Sequence, residues 1–369
     1  MTLSDLTPET VRFRTSDEVI GDLRDACEAN PDLASFEIIG ESEEGRPIAG
    51  ITLGSGPRLV TLVAGAHADE PIGPETLRHL IVDGLGSRDW GAEVGGLASL
   101  FERVTFRIIP HVNPDAEARN QPWISRWNAL AENPAALLGL FLHERRREPP
   151  GRDIEFGYPA MRAENRAATE FLFAPGPPLA IHASLHGMAV SEGALLLIEK
   201  EWLRSPRCAP LRDGFVRAAR AAGLRLHDHD RGGDKGFRYG GPGFWSTPEG
   251  AAMRAHFDAI GDTETASLFH RSSMEQAIHV SGGHPLCLVT ELPLFVLGAE
   301  YPHEPGIAAL SAEFARTRPD LLQAATEADG QARLGEAVER FGIWTLGPTT
   351  AVRLHLTVLD LALGVSGNG

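Results

Sequence analysis

The stretch Leu59-Val60-Thr61-Leu62-Val63-Ala64-Gly65-Ala66-His67-Ala68-Asp69-Glu70 is an apolar run that stops at a small-residue turn and passes at once into His-x-x-Glu. Read as a strand, it places its next side chains at a sheet edge, where an imidazole and a carboxylate can converge on one divalent ion. Histidine nitrogen with glutamate oxygen suits zinc. The motif is short, and an exposed loop histidine beside a helix-opening acid would look the same.

Two more apolar runs end in a similar way. Leu179 to Leu185 leads into His186-Gly187, and Leu286 to Thr290 leads into Glu291-Leu292-Pro293. His182 shares a strand face with His186, because residues two and four apart do so, and it reads as a core or supporting residue. His67, Glu70 and His186 together offer three ligands and leave a fourth zinc position for water, which is the catalytic arrangement. An ionised Glu291 after so apolar a run then has a reason to be there: general-base duty on a water whose pKa the metal lowers to roughly 7. A partly exposed strand-end carboxylate is the plain alternative. As a set, the three endings supply the ligands and base of metal-assisted hydrolysis.

Outward from these runs, the sequence alternates. Ser16 to Ala29 has helical spacing; Phe36 to Ile39, Ile48 to Leu53 and Val104 to Ile109 read as strands; Pro74 to Leu85, Glu164 to Phe173 and Arg212 to Ala222 read as helices; Ala194 to Ile198 is extended. This rhythm predicts a three-layer α/β/α fold around a mixed, mostly parallel twisted sheet, with functional residues at strand ends. Asn113 to Tyr158, rich in Arg, Trp and Pro, and His227 to Gly243, rich in Gly, Asp and His, break the rhythm and read as binding loops or rims. Trp123, Trp127 and Trp245 are pocket or packing residues. The end of the chain predicts a helix over Ile307 to Arg316, a polar helical stretch over Leu321 to Phe341, a strand or helix over Val352 to Leu363, and a loose tail from Ser366 to Gly369.

The residues resemble the zinc carboxypeptidase (metallocarboxypeptidase A-like) family from about Asp17 to Leu297. Gly40-Glu41-Ser42-Glu43-Glu44-Gly45-Arg46-Pro47-Ile48 is similar to its Gly-x-Ser-x-x-Gly-Arg-x-Ile segment, and Pro110-His111-Val112-Asn113-Pro114-Asp115 to its Pro-x-x-Asn-Pro-Asp run. His67-Ala68-Asp69-Glu70, Ser184-Leu185-His186 and Thr290-Glu291-Leu292 resemble the segments carrying its ligands and base. The resemblance implies zinc as cofactor, His67, Glu70 and His186 as ligands, and Glu291 as base and proton shuttle. It implies that Asp153 hydrogen-bonds the first histidine ligand and that Arg119 or Arg126 polarises the scissile carbonyl. It further implies a catalytic domain over 1–297 with an extension over 298–369 packed on it.

Two departures bear on the substrate. Where family members that remove C-terminal residues carry the Asn-Arg clamp for the substrate carboxylate, this chain has Glu155-Phe156, and none of its three tyrosines, Tyr158, Tyr239 and Tyr301, stands shortly before Glu291. A carboxylate at the clamp repels a carboxylate, so Glu155 predicts substrates with an amine, a basic side chain or a blocked carboxyl. Arg271 could bind an anion from the other side. The expected activity is hydrolysis of a peptide or amide bond with altered carboxylate recognition. Two other readings stand beside it: a deacylase of a small acylated amine, like the aspartoacylase and desuccinylase relatives, and an inactive binding module.

Composition bounds the partners. With 34 Lys+Arg against 50 Asp+Glu, the 369-residue chain carries a formal charge of −16. That disfavours nucleic acid and anionic membrane, which need clustered positive charge. The one dense basic run, Arg145-Arg146-Arg147, has acids on its flanks. The partner expected is a peptide or small amide substrate, and a homo-oligomer stays open. Cys27, Cys208 and Cys287 are three and far apart, against a disulfide framework. The first residues have neither a basic nor an apolar signal region, and no run approaches about eighteen apolar residues. A cytoplasmic protein active as made, without an inhibitory prodomain, is the expectation.

Overall fold

A computed structural model describes residues 2–86, 97–230, 232–298, 307–327 and 329–367. Its strands are β1 (Ala34–Glu41), β2 (Pro47–Leu53), β3 (Arg58–Ala64), β4 (Val104–Ile109), β5 (Leu179–Ser191), β6 (Gly193–Ile198), β7 (Arg225–Leu226), β8 (Phe244–Ser246), β9 (Leu286–Val296) and β10 (Trp344–Thr345). Along the sheet they run β1-β2-β4-β3-β5-β9-β6-β7, with β10 on β9 and β8 on β6. The centre, β4-β3-β5-β9, is parallel, while β1-β2, β2-β4 and β6-β9 pair antiparallel. Central parallel strands are covered on both faces, which is why β3 and β9 read as nearly unbroken apolar runs.

Alternation along the strands sends side chains to two cores. Val60, Leu62 and Ala64 of β3 and Leu286 and Leu288 of β9 join the main core, whereas Val63, Cys287 and Val289 join clusters on the other face. Helices Ile72–Gly86 and Pro348–Ser366 pack on β5 from the first side, and Ala163–Leu172 and Ser273–Ser281 cover the second. The C-terminal helix shares the main core with β3, β5 and β9 through Val352, Leu356 and Leu359.

Asn113 to Tyr158 is largely helical instead of the loop its composition suggests, although Arg145 and Arg147 after its second helix do form a rim. It holds two helices, Pro114–Leu130 and Pro134–Glu144, each opened by an asparagine whose side chain accepts from the backbone three residues on and each with proline in its first turn. Trp123, Trp127 and Phe141 are buried in the main core. The Leu321 to Phe341 stretch divides: one helix runs Ile307–Ala324 and the next Gly330–Phe341. Val352 to Leu363 is helical, begun at Pro348 after Gly347. Ser366 ends that helix rather than starting a tail; residues 368 and 369 and Tyr301 lie outside the described residues, as does Arg231 of the Gly-rich segment. No helix among the described residues is long and apolar enough to cross a membrane.

Candidate metal centre and the cleft beside it

β3 ends at Ala64, and Gly65 turns the chain with φ +77°. A Cβ there would also sit 2.5 Å from His111 Nδ1, so the position needs glycine. The turn carries His67 and Glu70 toward the end of β5, and the Gly187 amide donates to Glu70 Oε2 at 3.1 Å. Behind it, the helix Ile72–Gly86 presses against β5: a Cβ on Gly73 would lie 2.0 Å from the Leu185 carbonyl oxygen. His186 follows Leu185 and pairs in register with Glu291 on β9.

Three side chains from two distant segments thus meet. His67 Nδ1 and His186 Nδ1 are 3.1 Å apart, His186 Nδ1 is 3.1 Å from Glu70 Oε2, and His67 Nδ1 is 3.2 Å from Glu70 Oε1. Ligand atoms about 2.0–2.1 Å from a tetrahedral zinc stand about 3.3 Å from each other, so the spacing fits that ion. Among the described residues these three form the one His/Cys/Asp/Glu group able to hold a metal.

The outer nitrogens are also occupied. His67 Nε2 lies 2.8 Å from Asp153 Oδ2, and His186 Nε2 lies 2.7 Å from Ser184 Oγ and 3.5 Å from Glu155 Oε2. Oxygen partners on Nε2 fix the rings with Nδ1 inward. Glu155 is held by Ser273 Oγ at 2.6 Å and Ser184 Oγ at 3.4 Å, is 8 % exposed, and is absent from the cleft wall. The sequence assigns it to substrate; the structure puts it behind His186.

So many carboxylates around two imidazoles favour a cation. Burial alone would lower the His67 and His186 values; Asp153 and Glu70 outweigh it at His67, and hydrogen bonds that the His186 ring donates to Glu155 and Glu70 push His186 up to about 10. Burial would likewise raise Asp153, yet His67 keeps it below its ordinary range. Glu291 is the one position of β9 that is not fully buried. Its carboxyl makes no hydrogen bond to a described residue, and burial, then the Glu70 charge, push it up to about 8.

Behind the strand ends runs a second polar chain. Thr290 Oγ1 accepts the His186 amide at 3.2 Å and lies 3.0 Å from His355 Nε2; His355 Nδ1 lies 3.0 Å from Thr76 Oγ1, which donates to the Ile72 carbonyl at 2.9 Å. One neutral tautomer, protonated at Nδ1, satisfies every bond, and burial keeps His355 neutral by lowering it to about 3.

The metal centre opens into a cleft of about 510 Å³ lined by His67, Glu70 and Glu291, by Met188, Leu195, Leu197 and Trp245, and by Arg145, Arg147 and Arg318. Arg145 pairs with Asp69, inside the His-x-x-Glu turn, and lies over the Phe141 ring at 5.0 Å. Arg119 and Arg126 do not line it: Arg119 pairs at the surface with Glu44 at 2.5 Å, and Arg126 is exposed. Arg271 donates to Gln276 Oε1 at 3.2 Å and is also absent from the wall. His227, from the Gly-rich segment, lies 2.8 Å from Glu192 in the cleft. Sequence reading missed Glu192, His355 and Arg318; for Arg145 and Arg147 the basic run was the available signal.

A sheet whose strand ends bring His-x-x-Glu together with a later histidine defines an α/β protein with a candidate metal centre. The comparisons narrow that class: a family model described as zinc carboxypeptidase matches residues 20–154. A carboxypeptidase B of Astacus astacus is 24 % identical over 168 residues, 45 % of this chain and 52 % of the relative. The chain thus spans about half the length of the curated relative it matches. A metallo-carboxypeptidase from Burkholderia cenocepacia shares the fold, with a TM-score of 0.51 and 16 % identity over 95 % of this chain and 69 % of the other. The chain is thus similar to zinc carboxypeptidases over part of its length and shares the fold of a metallo-carboxypeptidase.

Proposed function

We propose that this protein is a zinc-dependent hydrolase of the metallocarboxypeptidase type, cleaving a peptide or amide bond with Glu291 as general base. The observation that carries the reading is the triangle of His67, Glu70 and His186 donor atoms, 3.1–3.2 Å on a side, opening onto a cleft that Glu291 also lines. Zinc, when bound, would supply a Lewis acid and a water of lowered pKa, roughly 7. Glu291 takes a proton at its carboxylate and later returns it to the leaving nitrogen. Asp153 and Ser184 hold the imidazoles in the ligating tautomer. Arg145, fixed by Asp69 beside the metal turn, takes the carbonyl-polarising role in place of Arg119 or Arg126.

Carboxylate recognition is altered in this reading. Phe156 has no charge to offer at the clamp position; Glu155 acts on His186 and Arg271 on Gln276, so neither meets the substrate. A cytoplasmic setting belongs to the same proposal, supported by three buried cysteines without a disulfide.

The test is mass spectrometry of a peptide and acyl-amine library incubated with zinc-loaded protein, each member with a free and an amidated C-terminus. Chelator-sensitive cleavage of any member supports the proposal. Unchanged substrates throughout, with zinc shown to be bound, would sink it.

A further inference from the structure

Arg145 and Arg147 leave the end of the helix Pro134–Glu144, and Arg318 comes from the helix Ile307–Ala324 packed against it. All three line the metal-centre cleft. Arg145 has Asp69, but Arg147 and Arg318 have no carboxylate partner among the described residues. The cleft's own anions are committed elsewhere: Glu70 belongs to the metal triangle, Glu291 is the base, and Glu192 is held by His227 at 2.8 Å and by Ser311 Oγ at 3.0 Å. In a chain of charge −16, three guanidiniums on one wall are a local reversal of sign. Burial and the charges of Arg145 and Arg147 hold Arg318 below its ordinary value. An anion between them would relieve that repulsion.

We propose that Arg147 and Arg318, with Arg145 beside them, bind a carboxylate carried by the substrate, so that the cleft takes anionic amides through a site built partly from the segment after residue 298. This rests on the hydrolase reading above. The carboxylate is either the one next to the scissile amide or an acidic side chain. A cleft of about 510 Å³ with apolar walls suits a small or terminal residue.

Four probes separate the sources: N-acetylglutamate, N-acetylglutamine with only the α-carboxylate, N-acetylisoglutamine with only the side-chain carboxylate, and the neutral N-acetylglutamine amide. Binding is measured by calorimetry on zinc-loaded Glu291→Gln protein, and hydrolysis on the unaltered enzyme. We expect at least one mono-acid to bind about 10- to 100-fold tighter than the neutral probe. That gap should collapse in Arg147→Gln/Arg318→Gln and persist in Arg316→Gln, an exposed site on the same helix outside the cleft wall. The better mono-acid names the source. Equal binding of acid and neutral probes, no binding of any, or a gap that survives the double substitution would overturn the anion site, while chelator-sensitive hydrolysis kept the hydrolase reading. Acid-selective binding without hydrolysis of any amide would do the reverse.

Discussion

His186 and Glu291 are register partners on neighbouring parallel strands, β5 and β9. The third candidate ligand and the candidate base are therefore fixed relative to each other by the sheet's own ladder instead of by a loop. Glu291→Gln keeps the shape of the side chain and removes its basicity. We expect zinc still bound at one equivalent and turnover down about 10²- to 10⁴-fold, read by metal analysis beside steady-state rates. Full activity in a zinc-replete variant would remove Glu291 from the base role.

Asp153 lies 2.8 Å from His67 Nε2. Asp153→Asn keeps the bulk and loses the anion, so zinc affinity should fall about 10- to 100-fold. Competition against a chelator measures it; unchanged affinity would mean that the contact does not tune the ligand.

The metal-free protein should lose stability as pH rises. Glu291 and His186 have folded values raised to about 8 and about 10, against ordinary values of 4.5 and 6.5. Each contribution is complete below the lower value of its pair and is lost as pH passes the higher one. Zinc replaces the imidazole protons, so the gain in Tm on adding zinc should widen between about pH 6 and 9. A gain that shrinks over that window contradicts the assignment.

Gly73 leaves no room for a side chain, its Cβ position being 2.0 Å from the Leu185 carbonyl oxygen. Gly73→Ala should move the helix Ile72–Gly86 off β5 beside both halves of the metal triangle. We expect a loss of about 1–3 kcal/mol in stability and weaker zinc binding. Gly86→Ala, where a Cβ meets nothing within 4 Å, should leave zinc affinity unaltered.

The strand ends that bear His67, His186 and Glu291 are legible in the sequence because central parallel strands must be apolar throughout, so a polar residue stopping such a run stands out. The helices of Asn113 to Tyr158 are less legible: their Arg and Trp content suggests a rim, and the two Asn-Pro openings are the signals that mark them as helix starts. The direction of a side chain is not in the sequence at all. Glu155 stands at the clamp position but Ser184 and Ser273 turn it to His186. Arg318 enters the cleft from 171 positions beyond Arg147 through helix packing alone.

His355 ties the last helix to the residue before Glu291. The order of synthesis then matters: strands, metal turn and base are all made before position 355 leaves the ribosome. We predict that a chain arrested before Pro348 is catalytically silent even when zinc is supplied, and that synthesis of the last helix starts activity. Hydrolysis by the arrested chain equal to that of the full-length one would show that the bond to His355 has no such timing role.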